Sequence, residues 1–154
     1  MADKSFKLEI ITPEEVIFSS NIYSLRVPAH DGELGVLPGH APLLASLNPG
    51  IVRVRRSEES DREEYFSISG GFLDVGPEQS IVLADACERP DGIDLDRAEE
   101  AYIRAFNRLH RGGADEQLDR ERAEEALRRA RARLETAREA GKDIEIPQPV
   151  ESSR

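Results

Sequence analysis

Ile81-Val82-Leu83-Ala84-Asp85-Ala86-Cys87-Glu88-Arg89-Pro90-Asp91-Gly92-Ile93-Asp94-Leu95-Asp96-Arg97-Ala98 is the stretch in which the hydrophobic period of the chain changes. Upstream of it, apolar runs are short and separated by Thr12-Pro13, Asp31-Gly32, Pro38-Gly39, Asn48-Pro49-Gly50 and Gly76-Pro77. These are strand lengths divided by turn signals. Within the runs, Phe6, Leu8 and Ile10 alternate with their neighbours, as do Tyr23, Leu25 and Val27, Val52 and Val54, Phe66 and Ile68, Leu73 and Val75, and Ile81 and Leu83. Period two means sheet with one buried face, and many short strands with no helix between them bury that face only against another sheet. Downstream of Arg89-Pro90-Asp91-Gly92 the period lies between three and four, which is helical. The expectation is a two-domain chain, an N-terminal all-β sandwich over 1–89 followed by a C-terminal antiparallel α-helical hairpin over 90–143. A proline-broken tail over 144–154 is expected to be extended or disordered.

The first helix carries Leu95, Ala98, Tyr102, Ala105, Phe106 and Leu109 on one stripe, with Asp94 as its N-cap. His110-Arg111-Gly112-Gly113-Ala114-Asp115 breaks it, and the second helix, from about Glu116 to Ala140, carries Leu118, Ala123, Leu127, Ala130, Leu134 and Ala137 before Gly141. Alanine dominates this stripe, so at roughly 25 cal/mol per Å² the helices hold each other weakly. A long Ala- and Arg-rich helix keeps its own backbone bonds when it leaves its partner, so the hairpin reads as a mobile element; close packing of small residues is the competing reading.

The 154 residues carry a formal charge of -10, unevenly spread: residues 1–93 hold 16 acidic and 8 basic side chains, residues 94–143 hold 13 and 12. With no basic stripe over the first domain to displace counterions from phosphates, no nucleic-acid partner is expected. No apolar run approaches the ~20 residues of a membrane span, and the N-terminus lacks the apolar core of a secretory signal, so a soluble chain is expected. Cys87, the only cysteine, excludes an internal disulfide and a multi-cysteine zinc site.

Asp31-Gly32-Glu33-Leu34-Gly35-Val36-Leu37-Pro38-Gly39-His40-Ala41-Pro42-Leu43-Leu44 packs three glycines, two prolines and a histidine between apolar flanks. It reads as a rigid, shaped surface loop in which glycines admit close backbone approach. This run resembles the signature of the epsilon-subunit family of the rotary, proton-translocating ATP synthase. Ser69-Gly70-Gly71-Phe72-Leu73-Asp74-Val75 is similar to that family's glycine-pair strand, Ile81 to Arg89 to the strand closing its first domain, and Ile93-Asp94-Leu95-Asp96-Arg97-Ala98 to the motif opening its second. The matches occur in the family's order from about Phe6 to Ala140.

The resemblance implies a non-catalytic central-stalk subunit, peripheral on the cytoplasmic face of a bacterial cell membrane or the stromal face of a thylakoid. Its implied partners are the shaft (gamma) subunit, the proteolipid ring of c subunits and, in an inhibited state, the catalytic alpha and beta subunits. It places Glu33, Gly35, Pro38, Gly39 and His40 at the rotor interface. It also implies a regulatory ATP, with no cofactor required, at Glu88, Asp94, Arg97, Arg104, Arg129 and Arg133. Helical spacing supports part of that set, since Asp94 with Arg97 and Arg129 with Arg133 each share a face, and an antiparallel turn brings Arg97 toward Arg129 and Asp94 toward Arg133. Converging guanidiniums repel unless an anion intervenes; a helix surface laced with ion pairs is the competing reading. Arg128, Arg129, Arg131 and Arg133 form a basic run suited to acidic side chains of the catalytic subunits, so the second helix is expected to block hydrolysis when it opens.

No catalytic constellation or metal-spaced histidine pair is present: His30, His40 and His110 are scattered, and Ser69 before Gly70-Gly71 lacks a nucleophile's strand-to-helix turn. An unrelated β-sandwich ligand-binding or adaptor module with a helical dimerisation hairpin is the alternative to the stalk reading.

Overall fold

The structure is a computed structural model that describes residues 4–110 and 117–146. Eight strands come first: β1 (Phe6–Ile11), β2 (Val16–Ile22), β3 (Ser24–Ala29), β4 (Gly32–Val36), β5 (Leu43–Arg55), β6 (Glu63–Val75), β7 (Gln79–Ala84) and β8 (Cys87–Glu88). A single 3-10 turn, Pro90–Gly92, leads to α1 (Leu95–His110) and α2 (Gln117–Glu139). The strands run in the order β2-β1-β7-β6-β5-β3-β4, with β8 added on β6. All pairs are antiparallel except β1 with β7.

The path folds over on itself to make the sandwich, and both layers contribute to one core that includes Leu8, Ile10, Phe18, Ile22, Leu25, Val27, Val52, Val54, Phe66, Ile68, Leu73 and Val82. The two 13-residue strands β5 and β6 pair along their whole length. Gly70 and Gly71 divide β6: the half before them pairs with β8, the half after them with β7. Gly71 has φ 144°, and a Cβ there would lie 1.9 Å from the carbonyl oxygen of Leu83. The glycine pair is therefore the tight strand corner that its spacing suggests.

Alternation identifies the buried residues of most strands, with one error of phase. In β7 the core side chains are Ser80, Val82 and Ala84, whereas Ile81 is half-buried and Leu83 is exposed. Four consecutive apolar residues carry no internal phase, and the pairing Leu73↔Val82 and Ile10↔Val82 sets it. The segment Asp31 to Leu44 also differs from a continuous loop, since Gly32–Val36 is strand β4 on β3, leaving the turn at Asp31 and the stretch from Leu37 to Pro42 irregular.

Asp94 caps α1, its Oδ1 accepting the Arg97 backbone N–H at 3.1 Å. Ala98, Tyr102 and Ala105 are buried on α1; Leu95, Phe106 and Leu109 are half-buried. The helix break at 111–116, the side chain of Leu118 and the tail at 147–154 lie outside the described residues. On α2, Ala123, Ala130, Leu134 and Ala137 are buried as the stripe predicts, but so are Ala132 and Thr136. Those two belong to a second buried face, since α2 packs on β5 and β6 as well as on α1. The Thr136 hydroxyl, fully buried, donates to the Ala132 carbonyl at 2.6 Å and so needs no outside partner.

Candidate functional site

Two cavities flank α2. One, of about 250 Å³, lies between the helix and the sandwich and is lined by Ser67, Ser69, Glu88, Arg129 and Arg133 among others. The second, of about 270 Å³, runs between the helices: Arg104 and Arg108 of α1 face Arg129 and Arg133 of α2 over Ala101, Ala105, Ala123, Ala126 and Ala130. Each arginine pair is spaced four apart, which sets it on one helix face, and the alanines between leave room that a longer side chain would fill. Both cavities share Arg129 and Arg133.

The six residues expected to bind ATP are thus only partly gathered. Glu88, Arg104, Arg129 and Arg133 line this pair of cavities. Arg97 and Asp94 line neither, and Asp94 meets no arginine side chain of α2: it spends an oxygen on the helix cap, and Arg133 instead bonds Glu88, Nε to Oε1 at 2.6 Å. The expected Asp94–Arg133 approach is replaced by a bridge from α2 to β8. The cause is the second packing face of α2, which brings its arginines over the sandwich edge as well as over α1.

The basic run is largely paired in this closed arrangement. Arg131 bonds Glu135 at 2.7 Å, which raises its pKa, and Arg129 lies 3.8 Å from Glu125. Arg128 has no ion pair among the described residues. A second bridge ties the end of α2 to the sandwich, Arg53 to Glu139 at 3.5 Å.

At the expected rotor interface, Glu33 is not a bare acid: it pairs with Arg26 at 3.3 Å and Arg53 at 3.8 Å. Arg26 in turn holds Glu63 through two bonds of 2.7 and 2.9 Å, which raises its pKa. His40 closes a turn, its N–H donating to the Leu37 carbonyl at 3.1 Å, and its Nδ1 lies 2.6 Å from the Ala41 oxygen. Gly39 takes φ 82°, so that position favours glycine for its backbone alone. Close packing does not explain the loop glycines, because a Cβ at Gly32, Gly35 or Gly39 would meet nothing within 4 Å. Gly35 is simply bare outward surface. Pro38 is half-buried beside the turn.

The residues that sequence reasoning missed lie on the outer face of the sandwich. Ser46, Phe72, Leu83, Ile11 and Val16 are successive partners across β5, β6, β7, β1 and β2. Phe72 is 54% exposed, Leu83 48% and Val16 55%; Leu44, two residues from Ser46 on the same face, is 73% exposed. At a strand spacing of about 4.8 Å the apolar part of this row, from Phe72 to Val16, is roughly 14 Å long. The available signal was the unbroken run Ile81-Val82-Leu83-Ala84, apolar on both faces in a largely antiparallel sheet. Cys87, half-buried, has its thiol pushed up to about 11, chiefly by burial, and is a poor nucleophile.

Residues 5–90 match the family described as ATP synthase, Delta/Epsilon chain, beta-sandwich domain, and residues 91–138 match its long alpha-helix domain. This chain belongs to the ATP synthase delta/epsilon family. It is an epsilon-type, non-catalytic subunit of the central stalk, and the unrelated adaptor module is set aside. The ATP synthase epsilon chain of Moorella thermoacetica is 49% identical over 133 residues, covering 86% of this chain and 96% of the relative. That of Desulforudis audaxviator is 44% identical over 109 residues, covering 71% and 77%. Among solved structures, a chain of the Euglena gracilis mitochondrial ATP synthase, OSCP/F1/c-ring, superposes with a TM-score of 0.73 at 24% identity, covering 87% of this chain and 81% of its own. That likeness shows the fold.

Proposed function

We propose that this epsilon-type subunit clamps the shaft (gamma) subunit to the proteolipid ring through its sandwich and restrains ATP hydrolysis through its hairpin. The observation that carries the reading is the contrast between the faces of α2. Among the described residues its buried side chains are four alanines and one threonine to one leucine, while its outer side holds an arginine run largely paired with its own acids and with Glu88. Little apolar area holds such a helix, and few pairs have to break for it to leave and meet acidic side chains of the catalytic alpha and beta subunits. The uncovered apolar row through Phe72 and Leu83 supports docking of the sandwich on the shaft, and the bare edge around Gly35 and Gly39 supports contact with the ring. No helix among the described residues is long and apolar enough to cross a membrane. As a subunit of the stalk it is peripheral to the membrane complex, and on this reading it lies on the cytoplasmic face in a bacterium.

The test is deletion of residues 90–154 in the assembled enzyme. Hydrolysis should rise while proton-driven synthesis is spared, and reversing Arg129, Arg131 and Arg133 to Glu should reproduce much of the rise. Hydrolysis unmoved by both changes removes the inhibitory role. At the ring side, Gly39→Val should weaken assembly more than His40→Ala, because shape rather than imidazole chemistry does the holding.

A regulatory ATP is favoured by the four guanidiniums of Arg104, Arg108, Arg129 and Arg133 around one groove. Arg104 and Arg108 have no ion pair among the described residues, so the groove has unspent positive charge for a triphosphate. Those four residues would hold the phosphates, with Glu88 an acceptor once Arg133 is drawn away; Arg97 and Asp94 have no such placement. Calorimetry on the isolated subunit should show binding weakened by Arg129→Ala or Arg104→Ala. No heat at millimolar ATP removes the nucleotide from this account.

A further inference from the structure

The chain does not leave the fold where α2 ends. The backbone N–H of Gly141 bonds the Arg138 carbonyl and that of Lys142 bonds the Ala137 carbonyl, both at 3.0 Å, and Gly141 takes φ 96°. This closure reverses the chain at a left-handed residue that glycine adopts without strain. Beyond it Ile144 is half-buried, Glu145 exposed and Ile146 buried at 8% exposure, the alternation of an extended segment laid on a surface. Both isoleucines join the apolar cluster formed by Ile93, Leu95, Ala98 and Tyr102 at the start of α1 with Leu127, Ala130 and Leu134 of α2. The first three residues of the 144–154 tail are therefore extended and lie on the helices.

We propose that residues 141–146 are a strap that holds α1 and α2 together and sets how readily the hairpin opens. The helix-borne members of this cluster are Leu95, Ala98, Ala101, Tyr102, Leu127, Ala130 and Leu134, so two further isoleucines add a large share of its apolar surface, and they join residues of both helices at the end remote from residues 111–116. That is the end where the helices must part first if they separate while staying joined through residues 111–116. Extension of α2 therefore requires the strap to peel away. Glu145, at the strap's solvent side, leaves it free to do so without dragging a buried charge.

The proposal rests on the reading of the hairpin as a mobile inhibitory element, but its test does not need the assembled enzyme. Spin labels on cysteines placed at the exposed positions Asp96 and Arg138, in a Cys87→Ser background, report the distance between the open ends of the helices in the isolated full chain. Ile144→Asp with Ile146→Asp should raise the population of long distances by about tenfold or more, with helical circular dichroism retained. Deleting residues 144–154 should do the same without introducing charge, and Ile146→Val should keep the short distance. A distance distribution unchanged in both the double variant and the deletion overturns the strap. Failure of the inhibitory reading is separately visible, as hydrolysis unmoved by deletion of 90–154.

Discussion

The sandwich and the hairpin are held by different materials. The sandwich core is built from leucine, isoleucine, valine and phenylalanine, with Phe18 set edge-on to Phe66 at 5.5 Å, and its strands are laced by backbone bonds from one edge to the other. Among the described residues, the interface of α2 buries Ala123, Ala130, Ala132, Ala137 and Thr136 with Leu134, beside half-buried Leu127, and is fastened at its rim by Arg133–Glu88 and Arg53–Glu139. A fully buried leucine or phenylalanine contributes about 1.5–3 kcal/mol, and each methylene about 0.8 kcal/mol, so an alanine face holds a fraction of what the sandwich holds. The difference teaches how unequally the two parts are held, and it suits the separate tasks proposed above, a sandwich that fixes geometry and a helix available for release.

The harshest way to break the sandwich side of this comparison is Gly71→Val. A side chain there collides with the Leu83 carbonyl, a backbone atom that cannot move without undoing β6 against β7. No cooperative unfolding transition should be seen by calorimetry for this variant. If it melts like the parent, the corner at Gly70-Gly71 is softer than the packing requires.

Paired cavity variants then sharpen the contrast. Phe66→Ala should cost ~3–5 kcal/mol and lower the denaturant midpoint of the whole chain. Leu134→Ala, costing ~2–5 kcal/mol by the same rule, should instead increase amide exchange in α1 and α2 while β5 and β6 stay protected. Equal loss of protection in strands and helices would show one cooperative unit and defeat the division of labour.

Smaller effects are expected at the rim. Glu88→Gln removes the partner of Arg133 at a half-exposed site, worth ~0.5–1 kcal/mol, and should raise exchange of α2 alone. High salt should do the same to the parent chain and little to the variant. At neutral pH the smallest effect belongs to Cys87, whose contribution changes only in alkali. Its folded thiol ionises at about 11 against 9.0 for the free group, so the unfolded chain gives up its proton first as pH rises. Stability from this residue is therefore intact below about pH 9 and falls between about 9 and 11. Cys87→Ser should show a shallower alkaline decline than the parent, and identical declines would place the thiol in solvent.

Much of this molecule follows from local pattern. Period two before Glu88, period three to four after Ile93, the Asp94 cap and the glycine corner are all encoded by residues within a few positions of the feature they specify, because backbone geometry repeats over two or 3.6 residues. The family signature is equally local, carried by contiguous motifs such as Ile93 to Ala98. Tertiary structure decided the rest. The phase of Ile81 to Ala84 came from β1 and β6, and the Arg133–Glu88 bridge spans 45 residues of sequence. The second face of α2 appears only when a sheet lies against it, since an alanine or threonine is compatible with either surface or interior. For the same reason the apolar row through Phe72 and Leu83, and the return of Ile144 and Ile146 to the helices, were invisible until the fold showed which hydrophobic residues it covers and which it leaves bare.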